Sequence, residues 1–160
     1  MSPHTLGPSF AGVFVRELDR LVHLVEDYPD EADLWRVEGS VRNPPGTLAL
    51  HLAGNLEHYV GTILGGTDYV RDRDGEFGDR EVPRSELVAR IRAARATIAS
   101  VLERLSDEEL LATAPDGLPG SLDGEEVSAA GFLAHLTWHT GWHLGQIDYH
   151  RRLLVGGEAL

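Results

Sequence analysis

The stretch Phe132-Leu-Ala-His135-Leu136-Thr-Trp138-His139-Thr-Gly-Trp142-His143-Leu144-Gly-Gln146-Ile147-Asp-Tyr-His150-Arg-Arg-Leu153-Leu154 reads as one long helix. Ser128 just before it is a natural N-cap. Its rhythm of fours and threes passes through Phe132, Leu136, His139, His143, Gln146, His150 and Leu153. Three imidazoles and the only glutamine of the chain thus interrupt an apolar seam. A second stripe, Leu133, Leu144, Ile147 and Leu154, runs beside it, and periodicity alone leaves open which of the two faces the core. Unpaired buried polar groups cost about 1–3 kcal/mol each, so the histidine stripe needs partners, water or a metal.

Three further segments carry helical periodicity. The first repeats Phe14, Leu18, Leu21, Val25 and Tyr28, and stops at Pro29. The second is expected to start at Thr47, read as its N-cap, and to end at Gly65-Gly66. Its apolar stripe is Leu48, Leu52, Leu56, Tyr59 and Ile63, and a polar stripe of His51, Asn55, His58 and Thr62 runs alongside. The third starts at Ser85 and buries Leu87, Ile91, Ala94, Ile98, Val101 and Leu105. Ser106-Asp-Glu-Glu109 opens a short turn with a capping box. Asp68–Glu81 is dense in charge and reads as a loop, and residues 112–127 read as a connection. No segment alternates with period two. The expected fold is therefore all-α: a four-helix bundle with long inter-helix connections, forming one domain over residues 1–160.

Composition narrows the function. Apolar residues make up 42% and charged residues 25%, as in ordinary globular proteins. The net charge of −12 argues against nucleic-acid partners and against anionic membrane surfaces. No apolar run is long enough to span a bilayer, and the N-terminal run shows no leader pattern, so a cytoplasmic location is expected. The chain has no cysteine and no lysine, all 14 basic residues being arginine. Thiolate ligands, cysteine nucleophiles and Schiff-base chemistry are excluded, so any thiol in the chemistry comes from a second substrate.

Helix geometry narrows the metal ligands. Residues four apart are separated by about 6 Å along the axis, within reach of two imidazoles on one ion. Residues eight apart are separated by about 12 Å, which is too far. The pair is His135/His139 or His139/His143. From the second helix, His51 or His58 can add a third ligand, but not both, because about 10.5 Å of rise separates them.

The segments Ala49-Leu-His51-Leu-Ala53 and His139-Thr-Gly-Trp-His143-Leu-Gly-Gln146-Ile147 resemble the DinB-like superfamily. The resemblance covers most of the chain in order and spacing. It implies a four-helix bundle of unusual connectivity, often a homodimer, holding a divalent ion such as nickel or zinc. The ligands it implies are His51, His139 and His143. Relatives include thiol-dependent S-transferases and an isomerase, with some members proposed as hydrolases. The expected activity is thus metal-dependent: a low-molecular-weight thiol or water is activated to attack a small electrophilic molecule, and His58 or His150 carries the proton. The alternative is a non-catalytic, dimeric metal- or ligand-binding module. Asn55 and Gln146 are candidates to line the cavity, Trp138 and Trp142 to pack, and the Arg71–Phe77 segment to close over the pocket.

Overall fold

The computed structural model describes residues 5–122 and 124–158. Residues 1–4, part of the N-terminal run read above, lie outside the described residues, as do 123, 159 and 160. Helix α1 spans Leu6–Glu26 and starts earlier than its apolar stripe. Asp107 explains that start. Its carboxylate accepts hydrogen bonds from the Thr5 and Leu6 N–H groups, both at 2.9 Å, and from the Thr5 hydroxyl at 2.7 Å. A distant side chain thereby satisfies helix-end donors that have no intrahelical partner. Phe14, Leu18, Leu21, Val25 and Tyr28 are all fully buried, as their spacing predicts.

Helix α2 spans Pro45–Leu56, and all twelve of its residues are buried. The expected cap at Thr47 is corrected. The cap lies three residues earlier, at Pro44, because Pro45 at the first helical position has no N–H to satisfy and a preset φ. Thr47 is instead a core residue. Beyond Leu56 the helix continues over Glu57–Leu64 with π-helical bonding. The Asp68–Glu81 segment is also corrected: it contains a short helix, α3, Arg73–Gly78, capped by the Asp72 carboxylate on the Gly75 N–H at 2.9 Å. Six residues are too few to carry a periodic signal.

Helix α4 spans Arg84–Arg104, and α5, Asp107–Leu111, opens with the Ser106/Glu109 capping box. Within the 112–127 connection a minimal antiparallel hairpin pairs Ser121 with Glu126 and Leu122 with Glu125. Its two-residue strands are too short to show alternation. Helix α6 spans Ala129–Val155, with the Ser128 hydroxyl accepting from the Gly131 N–H at 3.1 Å.

The helix order is not sequential. Helix α1 packs chiefly on α4 and also on α6, and α2 packs on the same two. Going round the bundle, the order is α1, α4, α2, α6. At its N-terminus α1 comes so close to α4 that a Cβ on Gly7 would lie 2.2 Å from the Leu102 carbonyl oxygen. This order makes α2 and α6 neighbours. Among the described residues, no helix is long and apolar enough to cross a membrane.

Candidate metal centre

On α6 the core-facing stripe is Phe132, Leu133, Leu136, Thr140, Leu144 and Ile147. The histidines flank it: His139 and His143 are half-buried, and Gln146 is exposed. Leu153, placed on the seam by periodicity, is 82% exposed. The histidine stripe therefore lies at the edge of the core, facing α2.

There it meets His51. The His51 and His139 Nε2 atoms are 3.2 Å apart, and those of His139 and His143 are 3.1 Å apart. One ligand atom from each of the three residues lies within 4.8 Å of the others. The rings meet nearly edge to face, at 82° for His51 and His139 and 89° for His139 and His143. The α6 pair follows from four-residue spacing; only the packing of α2 on α6 adds His51, 88 residues away.

The far sides of the rings set their tautomers. Glu76 on α3 lies with Oε2 3.0 Å from His51 Nδ1. A carboxylate only accepts, so His51 carries its proton on Nδ1 and turns the Nε2 lone pair inward. The Gln146 carbonyl oxygen does the same for His143, accepting from Nδ1 at 2.7 Å. Glu76 is itself held by a two-point contact from Arg71, Nε to Oε1 at 2.7 Å and Nη2 to Oε2 at 2.8 Å. Burial alone would raise the Glu76 pKa, but hydrogen bonds from Arg71 and His51 outweigh it, so the carboxyl lies below its ordinary range. Glycine at position 54 makes room for it, since a Cβ there would lie 2.3 Å from Glu76 Oε1.

Burial and neighbouring charges favour the neutral form of the α6 pair. Burial, and then the neighbouring His143 and His51, lower the His139 pKa from 6.5 to about 4. Burial lowers that of His143, although the bond to Gln146 works against the shift.

These residues fit a divalent cation. With His51 and His143 protonated on Nδ1, two Nε2 lone pairs face His139 Nε2, and one proton there can serve only one of them. His139 Nδ1 is buried without a partner among the described residues. Three neutral nitrogen donors converging on one point are the donor set of zinc, nickel, copper or iron.

The other expected residues fall elsewhere. His135 stacks at 6.4 Å against the His139 ring and adds no ligand to the group. His58 stays on the π-helical segment, its ring 4.9 Å from that of Tyr59. Burial and the Arg71 charge lower its pKa, with Glu76 opposing them. His150 is buried, and both its ring nitrogens are engaged. Nε2–H donates to the Arg36 carbonyl at 2.9 Å, and Nδ1 lies 2.9 Å from the Tyr28 hydroxyl. Its contacts tie the segment around Arg36 to α6. Asn55 is buried with Oδ1 unpaired among the described residues. Trp138 and Trp142 lie on the outer face of α6, with ring centroids 5.7 Å apart. The residue that sequence reasoning missed is Glu76. Its segment was singled out for closing over the site, but an acidic side chain in a charged run carries no mark of the histidine it will meet.

A cavity of about 710 Å3 opens beside His143 and Gln146, between α6 and the segment preceding α2.

Among known protein families, the model of the DinB superfamily matches residues 14–147. The match takes in all three converging histidines and Glu76. No curated protein matches the chain.

Proposed function

The chain belongs to the DinB superfamily, and on that premise we propose that His51, His139 and His143 hold one divalent cation, nickel or zinc, in a metal-dependent enzyme. The observation that carries this reading is the convergence of three Nε2 atoms at 3.1 and 3.2 Å, two of them turned inward by Glu76 and Gln146. Three protein ligands are the number that leaves a coordination position open. When bound, the ion supplies positive charge that lowers the pKa of a thiol or water in that position.

The chain's own groups do the rest. Glu76 and Gln146 fix the ring tautomers and orientations. With no cysteine or lysine present, the nucleophile is a low-molecular-weight thiol or water, and the small electrophilic substrate receives it in a transferase- or hydrolase-type reaction. His58 is the proposed proton carrier. Its ring makes no hydrogen bond among the described residues, and its lowered pKa favours the neutral, proton-accepting form. His150, with both nitrogens engaged, is assigned to holding the cavity wall.

Elemental analysis of untagged protein tests the centre. About one ion per chain, lost in His139→Ala, is expected; sub-stoichiometric metal unchanged by that substitution rejects it. A screen of thiols against electrophiles then tests turnover.

A second reading, a non-catalytic dimeric module, draws on Trp138 and Trp142, which are 60% and 57% exposed on one helix face. An exposed aromatic pair of this kind suits self-association. Light scattering that shows a dimer, with no turnover in the screen, favours this reading.

A further inference from the structure

The cavity beside His143 is lined mainly by apolar surface. One wall is α6, contributing Tyr149, Leu153 and Leu154; the other is the segment before α2, with Val41, and Leu48 on α2 itself. Three of the eight large hydrophobic side chains left exposed in the described structure, Val41, Tyr149 and Leu153, line it. Exposed apolar surface concentrated on one concavity marks a place where something binds. A volume of about 710 Å3 falls within the range of small-molecule sites.

Charge narrows the ligand. Two permanently charged side chains line the cavity, Glu38 and Arg42. Glu38 is paired with Arg36, whose Nε lies 2.5 Å from its Oε1 and whose Nη1 also lies 3.7 Å from Asp33 Oδ1. Arg42 is exposed and has no carboxylate partner among the described residues. Its guanidinium is therefore available to a ligand at the mouth of an apolar cavity. At the metal-centre end, Gln146 commits its carbonyl oxygen to His143 and keeps its amide NH2 without a partner among the described residues.

The walls are held in register. The Arg36 carbonyl accepts from His150 Nε2, and Tyr28 packs its hydroxyl against His150 Nδ1. The segment bearing Val41 and Arg42 is thereby anchored to α6 a few residues upstream.

We propose that this cavity binds a small organic anion with an apolar body, its carboxylate on Arg42, its body along Val41, Leu48 and Leu153, and its far end beside His143 and Gln146. This assignment rests on the metal-centre reading, since it names the substrate class that the centre acts upon. A neutral ligand would leave Arg42 unused, and a cation would be repelled by it.

The test uses the full, untagged chain and two probes of one shape, 4-phenylbutyrate and 4-phenylbutanamide, titrated calorimetrically at low and high salt. The acid is expected to bind about fivefold tighter than the amide at low salt, the size of one solvent-exposed ionic contact, and to lose that advantage at high salt. Arg42→Gln is expected to raise the Kd of the acid to that of the amide and leave the amide unchanged. Leu153→Glu, at an exposed position, is expected to weaken both. Equal affinity for the two probes, or an acid affinity indifferent to Arg42→Gln, overturns the proposal. So does a dimer that Leu153→Glu dissociates in a protein that binds neither probe, because the cavity is then a subunit contact. Metal content measured on the same samples separates the two readings. Metal without acid binding rejects the cavity assignment alone. Acid binding without metal rejects the centre and leaves the anion site standing.

Discussion

His51 enters the centre with its Nδ1–H already committed to Glu76, and Glu76 is in turn committed to Arg71. Partners behind a ligating histidine typically govern metal affinity by about 10–100-fold. Glu76→Ala is expected to weaken metal binding by roughly that factor, as read by competition with a chromophoric chelator. Gly54→Ala keeps every ligand and every charge, yet its new methyl would overlap the Glu76 carboxylate. It is expected to weaken binding in the same direction while the fold persists. An unchanged affinity in both variants would mean that His51 needs no orienting partner. The pH dependence of the metal-free protein belongs to this scale too. His139 has a folded-state pKa of about 4 against an ordinary 6.5, so between those values the unfolded chain binds the proton and the folded chain does not. Stability from this group is present in full above pH 6.5 and is lost as pH falls towards 4. Urea midpoints from pH 7.5 down to 4.5 are expected to fall less steeply in His139→Asn than in the wild type.

At the scale of elements, a helix was legible wherever its stripe was long. Phe14 to Tyr28, Leu87 to Val101 and the α6 rhythm all produced helices, because 3.6-residue periodicity is a local property of the chain. Short elements were not legible. Helix α3 has six residues and owes its existence to the Asp72 cap and to the site it covers. Helix α1 begins earlier than its apolar stripe, with Asp107 of α5 supplying the end group. Asp107→Ala removes three hydrogen bonds at that end. It is expected to cost about 1–2 kcal/mol in urea unfolding while leaving metal content unchanged. Loss of metal in that variant would show that α1 docking and the centre are coupled.

For the whole molecule, the central position of α2 is decisive. All twelve residues of that helix are buried against its neighbours, including two polar atoms without partners among the described residues, Thr47 Oγ1 and Asn55 Oδ1. The buried hydrophobic side chains around it form one continuous cluster. The three-histidine group lies at the edge of this core, and the bundle is therefore expected to fold without an ion. Chelation is expected to leave the far-ultraviolet circular dichroism spectrum helical and to lower Tm by an amount that metal binding restores. Global unfolding on chelation would instead make the ion structural.

The sequence by itself determined the all-helical architecture, the candidacy of His139 and His143 through their four-residue spacing, and the need for a second substrate to bring any thiol. Each of these follows from composition or from the geometry of a single helix. Two outcomes were left to tertiary structure. Periodicity allowed two seams on α6, and packing buried the one through Leu133, Leu144 and Ile147 while turning the histidines towards α2. Spacing allowed His51 or His58, and the non-sequential helix order brought His51 to the pair, with Glu76 behind it. Those choices join residues tens of positions apart. They are settled by which helices become neighbours and how far each is rotated, quantities that the bundle as a whole minimises and that no local stretch encodes.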